Sequence, residues 1–139
     1  MLERIRELTE QRADFGFETT LSGKTYVKHL TDMKANGYQI FLFFLWLPSA
    51  EMAVDRVENR VREGGHAVPS ADIRRRYNAG ARNLFRLYRQ ILDHWWLFDS
   101  SRLPPKLIAI EEGGQLVVKQ KRLYRQIETQ TEGDHEETD

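Results

Sequence analysis

The chain has 139 residues, 40% of them apolar and 30% charged, enough for one domain with a core and ordinary for a globular protein. Cysteine is absent, which excludes disulfides and thiolate metal sites. The 21 basic and 21 acidic residues balance to zero, but residues 56–89 hold nine Arg, three acids and no Lys, while the last eight, EGDHEETD, hold five acids and no Lys or Arg. A local basic surface on a neutral chain points to a small anion more than to a long nucleic acid, although Arg codons in a GC-rich genome account for the absence of Lys equally well.

In chain order, the N-terminal MLERIRELTEQR is charged throughout and unlike a signal peptide. Its Leu2, Ile5 and Leu8 stand at helical spacing and predict an amphipathic helix over 2–13. FGFET (15–19) reads as a short strand. Ser22 is placed to cap a helix over 23–36 that turns Tyr26, Val27, Leu30 and Met33 inward and stops at Gly37. YQIFLFFLWL (38–47) reads as a strand buried on both faces, and therefore as part of a parallel sheet covered by helices. Its apolar run, Ile40 to Leu47, is too short to span a bilayer. Together with the charged N-terminus this implies a soluble, cytoplasmic protein.

Pro48 and Ser49 open a helix over about 50–63 with Val54, Val57 and Val61 as its stripe, ended by Gly64-Gly65. Pro69 and Ser70 open the longest helix, about 70–93, on which Ile73, Tyr77, Ala81, Leu84, Tyr88 and Ile91 follow the 3.6-residue period. WWLFDSS (95–101) reads as a strand entering a turn, and KLIAIEEGGQLVVKQ as a hairpin turning at Gly113-Gly114. A short helix over 120–128 and a disordered acidic tail from 131 complete the chain. Trp46, Trp95 and Trp96 read as core aromatics. Alternating strands and helices predict a three-layer α/β fold, with ligands beyond the carboxyl ends of the strands. That places Glu18, Thr19, Thr20 and the Pro48-Ser49 turn at the expected site.

Gly23-Lys24-Thr25 has the ending of a phosphate-binding loop, G-x-x-x-x-G-K-[ST], but the residue five before Gly23 is Glu18 and Gly16 comes two positions too early. A carboxylate inside the loop opposes the anion it would hold. Lys24 and Thr25 therefore read as an ordinary first helical turn. Glu18, followed by two hydroxyls, suits orienting a hydroxyl-bearing substrate or helping to hold Mg²⁺; a plain helix-entry acid fits the same pattern. The four His, at 29, 66, 94 and 135, have no metal-site spacing.

The two helices flanking EGGHAVP carry arginines on a Gly hinge: Arg56 and Arg60 share one face, and Arg75, Arg82, Arg86 and Arg89 lie opposite the apolar stripe of the longer helix, with Arg76 on its flank. Such a pair can close as a lid on phosphates, whose oxygens a planar guanidinium meets with two hydrogen bonds. A solvated basic face is the plainer reading, held more firmly for Arg82, Arg86 and Arg89 than for Arg60, Arg75 and Arg76. His66, in the hinge, has either a local turn role or a contact to a base or phosphate.

FGFETTLSGKTY, GYQIFLFFLWLPSAEMAVDRVENRVREGGHAVP and IRRRYNAGARNLFRLY, in that order, resemble the zeta-toxin-like P-loop kinases over about residues 1–118. The resemblance implies a nucleotide-kinase-like fold, ATP and Mg²⁺ as cofactors, and phosphoryl transfer to UDP-N-acetylglucosamine or another small hydroxyl substrate, within a toxin-antitoxin context. It matches Glu18 and Thr20 to a substrate-binding glutamate and threonine. It matches Arg60, and one of Arg74, Arg75 or Arg76 with Arg75 or Arg76 favoured, to lid arginines on ATP phosphates. The family's Walker A loop, first strand and catalytic aspartate have no counterpart in these 139 residues. The expectation is a C-terminal kinase portion (1–130), inactive alone, with an incomplete parallel sheet, an Arg-rich lid and a C-terminal hairpin. Its unpaired strand edges would accept an N-terminal half or self-associate; an antitoxin is another expected partner. A non-catalytic nucleotide- or protein-binding remnant or regulator is the alternative.

Overall fold

The computed structural model describes residues 2–133. Helix α1 (Leu2–Glu10) buries Ile5 and ends three residues earlier than the spacing predicts. Arg12 takes a left-handed conformation, φ 56°, and Ala13 N bonds back to Leu8 O at 3.0 Å, which closes the helix. Residues 13–24 follow without regular secondary structure, not as the expected strand over 15–19. No neighbouring strand offers it a ladder. It is held by its rings instead: Phe15 meets Tyr38, and Phe17 meets Tyr26 at 5.0 Å.

Helix α2 (Thr25–Ala35) buries Leu30 and Met33, and starts from Lys24 with no side-chain cap, so Ser22 is not the cap the sequence indicates. The Ser22 hydroxyl is paired with Thr20 at 2.8 Å. Strand β1 (Phe41–Trp46) leads to α3 (Ala50–Arg62), whose N-cap Ser49 accepts from Met52 N as expected. Helix α4 (Ser70–Asn83) does not run on to 93. It widens into a π turn over Leu84–Tyr88 and tightens into a 3₁₀ turn over Arg89–Ile91. Strands β2 (His94–Asp99), β3 (Lys106–Glu112) and β4 (Gln115–Val118) follow. The β3–β4 hairpin turns at Gly113-Gly114, both at positive φ, as such two-residue turns require. Helix α5 (Lys121–Gly133) closes the described chain. It takes in residues 131–133, which the sequence assigns to the tail; the rest of that tail lies outside the described residues.

The sheet is mixed, in the order β1-β2-β3-β4, with only β1 and β2 parallel. One face packs under the helices. Leu42, Phe44 and Trp46 of β1 and Trp95 and Leu97 of β2 meet Leu84, Tyr88, Tyr124 and Ile127 there. The opposite face is open: Phe41, Phe43 and Leu45 are 52%, 63% and 61% exposed. The register puts Phe43, Trp96, Ile110 and Val117 in one apolar row across all four strands, with the Phe43 and Trp96 rings stacked at 4.6 Å. This corrects three expectations. The sheet is not all parallel, the architecture has two layers rather than three among the described residues, and Trp96 faces outward. A strand apolar at every position reads as buried twice over, but burial also needs a second layer, and none lies on this side among the described residues.

A candidate substrate arm and arginine hairpin

The irregular segment 13–24 passes along one side of the helical rod made by α4 and the π turn that follows it, and three residues of that rod fix it. Gly80 abuts the Thr20 carbonyl so closely that a Cβ there would lie 2.8 Å from the oxygen. Asn83, buried, donates Nδ2 to Leu21 O at 2.6 Å. Tyr88, fully buried, donates its hydroxyl to Gly23 O at 2.7 Å. Between these ties Leu21 adopts φ 56° while its side chain is buried. Glu18 and Thr20 stand exposed on this arm. Thr19 Oγ1 accepts from Leu21 N at 3.2 Å and Thr20 Oγ1 from Ser22 N at 3.4 Å.

That geometry answers the question raised by Gly23-Lys24-Thr25. A phosphate cradle turns successive backbone N–H groups toward the anion. Here the amides of Leu21 and Ser22 are already held by hydroxyls, and the carbonyls of Leu21 and Gly23 are tied to Asn83 and Tyr88. Lys24 precedes an ordinary helix start.

The arginine-bearing residues divide. Arg76 lies four before Gly80 and seven before Asn83, hence on the side of α4 turned to the arm. No hydrogen bond or ion pair joins it to another described residue. Arg75 is paired with Asp72 at 3.8 Å, and Arg74 with Glu51. The Arg74 guanidinium holds the Glu51 carboxyl below its ordinary pKa. Arg60 and His66 sit exposed near the tip of the α3–α4 hairpin. Ten residues of helix, about 15 Å, separate the first residue of α4 from Gly80, so Arg60 and His66 are not brought to Thr20. Arg86 and Arg89 are not a solvated face. Arg86 donates to Thr131 O at 2.7 Å, and Arg89 forks onto Glu111 at 3.0 and 2.8 Å, lying over the Trp95 ring at 5.2 Å. Arg89 holds the Glu111 carboxyl below the usual range, and Glu111 raises the Arg89 pKa in turn.

At the carboxyl ends of the parallel pair, the Ser100 amide and hydroxyl both donate to Trp46 O, Arg56 donates to Ser100 O, and Tyr77 donates to Leu47 O at 2.6 Å. Asp99 is buried there, accepting from Ser101 N and Oγ. Sequence reasoning passed over Asp99, although four apolar residues followed by an acid, WWLFD, was a usable signal. It also passed over Gly80 and Asn83 and read Tyr88 only as part of the apolar stripe; their role needs a partner segment some sixty residues away and leaves no local pattern.

For a nucleotide with Mg²⁺, the fit is partial. Guanidinium groups suited to phosphate are present, but no group of three or more His, Asp or Glu stands together among the described residues, so these residues by themselves do not form a site for the cation. No described helix is long and apolar enough to cross a membrane.

The mixed α/β scaffold holds its Glu-x-Thr segment against the helical rod that carries Arg76. The family model described as Zeta toxin matches residues 1–102, and the chain belongs to the zeta toxin family. A protein of Haemophilus influenzae described as uncharacterized is 29% identical over 68 residues, and the match covers 49% of each chain. The chain thus spans about half the length of that curated relative. No solved structure matches the chain.

Proposed function

We propose that this chain supplies the substrate arm and phosphate-gripping hairpin of a zeta-toxin-type kinase. In this reading Glu18 accepts hydrogen bonds from a sugar or other hydroxyl-bearing substrate such as UDP-N-acetylglucosamine, and Thr20 supplies a hydroxyl beside it. Arg76, with Arg75 and Arg60 once the hairpin closes, neutralises phosphate oxygens, and His66 contacts base or phosphate. The observation that carries the reading is the Glu18–Thr20 arm pinned along α4 on the side that bears Arg76. ATP bound with Mg²⁺ would supply the transferable phosphoryl group. This chain's residues bind, orient and neutralise.

With no G-x-x-x-x-G-K-[ST] within these 139 residues, turnover in this reading needs that loop from outside them, and a separate half that carries it is the partner proposed. The free edge of β1 and the apolar face carrying Phe43 and Trp96 support docking of such a half there, since they offer unpaired backbone groups and uncovered aromatic surface on one strand. Placement in a P-loop-kinase fold and a cytoplasmic location belong to the same reading.

Calorimetry on the isolated chain tests it. UDP-N-acetylglucosamine is expected to bind, and Glu18→Gln and Arg76→Ala to weaken binding by about tenfold or more. ATP turnover is expected only when a P-loop-bearing half is added, and Phe43→Glu is expected to abolish that rescue. Absence of any binding by the folded wild-type chain overturns the proposal. A second reading, a non-catalytic nucleotide-binding regulator, is favoured by the lack of a cradle; it predicts binding with no turnover whatever half is supplied.

A further inference from the structure

The geometry points to Asn83, Tyr88 and Gly80 as positioning residues that hold the Glu18–Thr20 arm, with the π turn of the α4 rod as the device that lets them act together. Asn83 and Tyr88 are five residues apart. In an α-helix that spacing turns the second side chain about 140° from the first, toward the opposite face. In an i→i+5 turn, residues five apart return to nearly the same side. The π turn occupies Leu84–Tyr88, directly after Asn83, and both side chains reach the same segment, at Leu21 O and Gly23 O. Gly80, one turn earlier, removes the Cβ that would strike the Thr20 carbonyl. Three consecutive contacts thus bracket Thr20–Gly23.

The bracket has a cost that it must offset. Leu21 sits in the left-handed region, φ 56°, which a leucine adopts unfavourably. Its side chain is buried in the core cluster, and its carbonyl receives the Asn83 amide. The turn it makes presents the Thr20 and Ser22 hydroxyls 2.8 Å apart. Without the donors from Asn83 and Tyr88, two carbonyls lose their partners and the turn loses what opposes its strain. These three residues then act through the arm and touch no substrate themselves, and the inference rests on the reading of Glu18 and Thr20 as substrate-binding.

Two near-isosteric variants and one crowding variant test this on the full chain: Tyr88→Phe, Asn83→Asp and Gly80→Ala. Hydrogen exchange at residues 19–23 is expected to quicken about five- to tenfold in each, relative to β2 and β3 amides in the same variant. Affinity for UDP-N-acetylglucosamine is expected to fall by a similar factor, with little added effect when Glu18→Gln is combined with any of them. Variants that lower overall stability but leave 19–23 protected relative to the sheet would overturn the positioning role, because a purely structural residue affects both regions alike. If the wild-type chain binds no UDP-N-acetylglucosamine, the substrate reading fails, and the exchange data alone decide whether these residues hold the arm.

Discussion

The two ends of the α4 rod carry chemically identical guanidinium groups in opposite circumstances. At the C-terminal end Arg89 is clasped by both oxygens of Glu111, which also accepts from Trp95 Nε1 at 2.9 Å, and Arg86 is bound to the end of α5 through Thr131 O. At the N-terminal half, Arg76 has no partner among the described residues and Arg75 has only a long pair to Asp72. Arginine is one sequence letter with two uses. Where a part-buried carboxylate and an aromatic face await it, as at Arg89, it braces the fold; where it stands exposed, as at Arg76, it does not.

The contrast is sharpest for Arg89 and Glu111. Glu111→Ala leaves a half-buried guanidinium and a buried indole N–H without their acceptor, and about 2–4 kcal/mol of stability is expected to be lost in urea denaturation. A loss no larger than that of an exposed pair would dissolve the distinction between the two ends. Arg86→Ala is expected to cost about 1 kcal/mol by removing one of the bonds to the end of α5. Arg76→Ala is expected to change stability by less than about 0.5 kcal/mol while weakening phosphate-bearing ligands. If it proves as destabilising as Glu111→Ala, Arg76 is a structural residue. The smallest effect is expected from pH. The folded-state pKa of Glu111 lies below its unfolded value, so its contribution is present above about pH 4.3 and fades as the pH falls through the folded value. Denaturation midpoints measured between about pH 5 and pH 3 are expected to fall more steeply in wild type than in Glu111→Gln.

Much of the fold was legible because local rules suffice for it. Ser49 caps α3, Gly113-Gly114 turns the hairpin, and the apolar stripes of α3 and α4 place Val54 and Ile73 inside. Other elements defeated the same rules, two of them instructively. FGFET has the composition of a strand but no adjacent strand to pair with, and Phe15 and Phe17 are held by tyrosine rings instead. The period of α4 was read straight through residue 93, because an apolar stripe does not register the extra residue that a π turn inserts. The site divides in the same way. Glu18, Thr20 and the arginines were visible as residue types in a pattern, whereas Asn83 and Tyr88 take their meaning from backbone carbonyls some sixty residues earlier.

The sequence alone determined that this is an α/β chain with an arginine-rich helical pair, a Glu-x-Thr motif and no phosphate-binding loop motif within its 139 residues. These follow from periodicity, turn chemistry and motif spacing, which are local. Only the tertiary structure decided which arginines are committed to carboxylates, that one sheet face and the β1 edge stay open among the described residues, and that Gly80, Asn83 and Tyr88 bracket the arm. Each of those depends on what lies opposite a side chain in space, and distance along the chain carries little information about that.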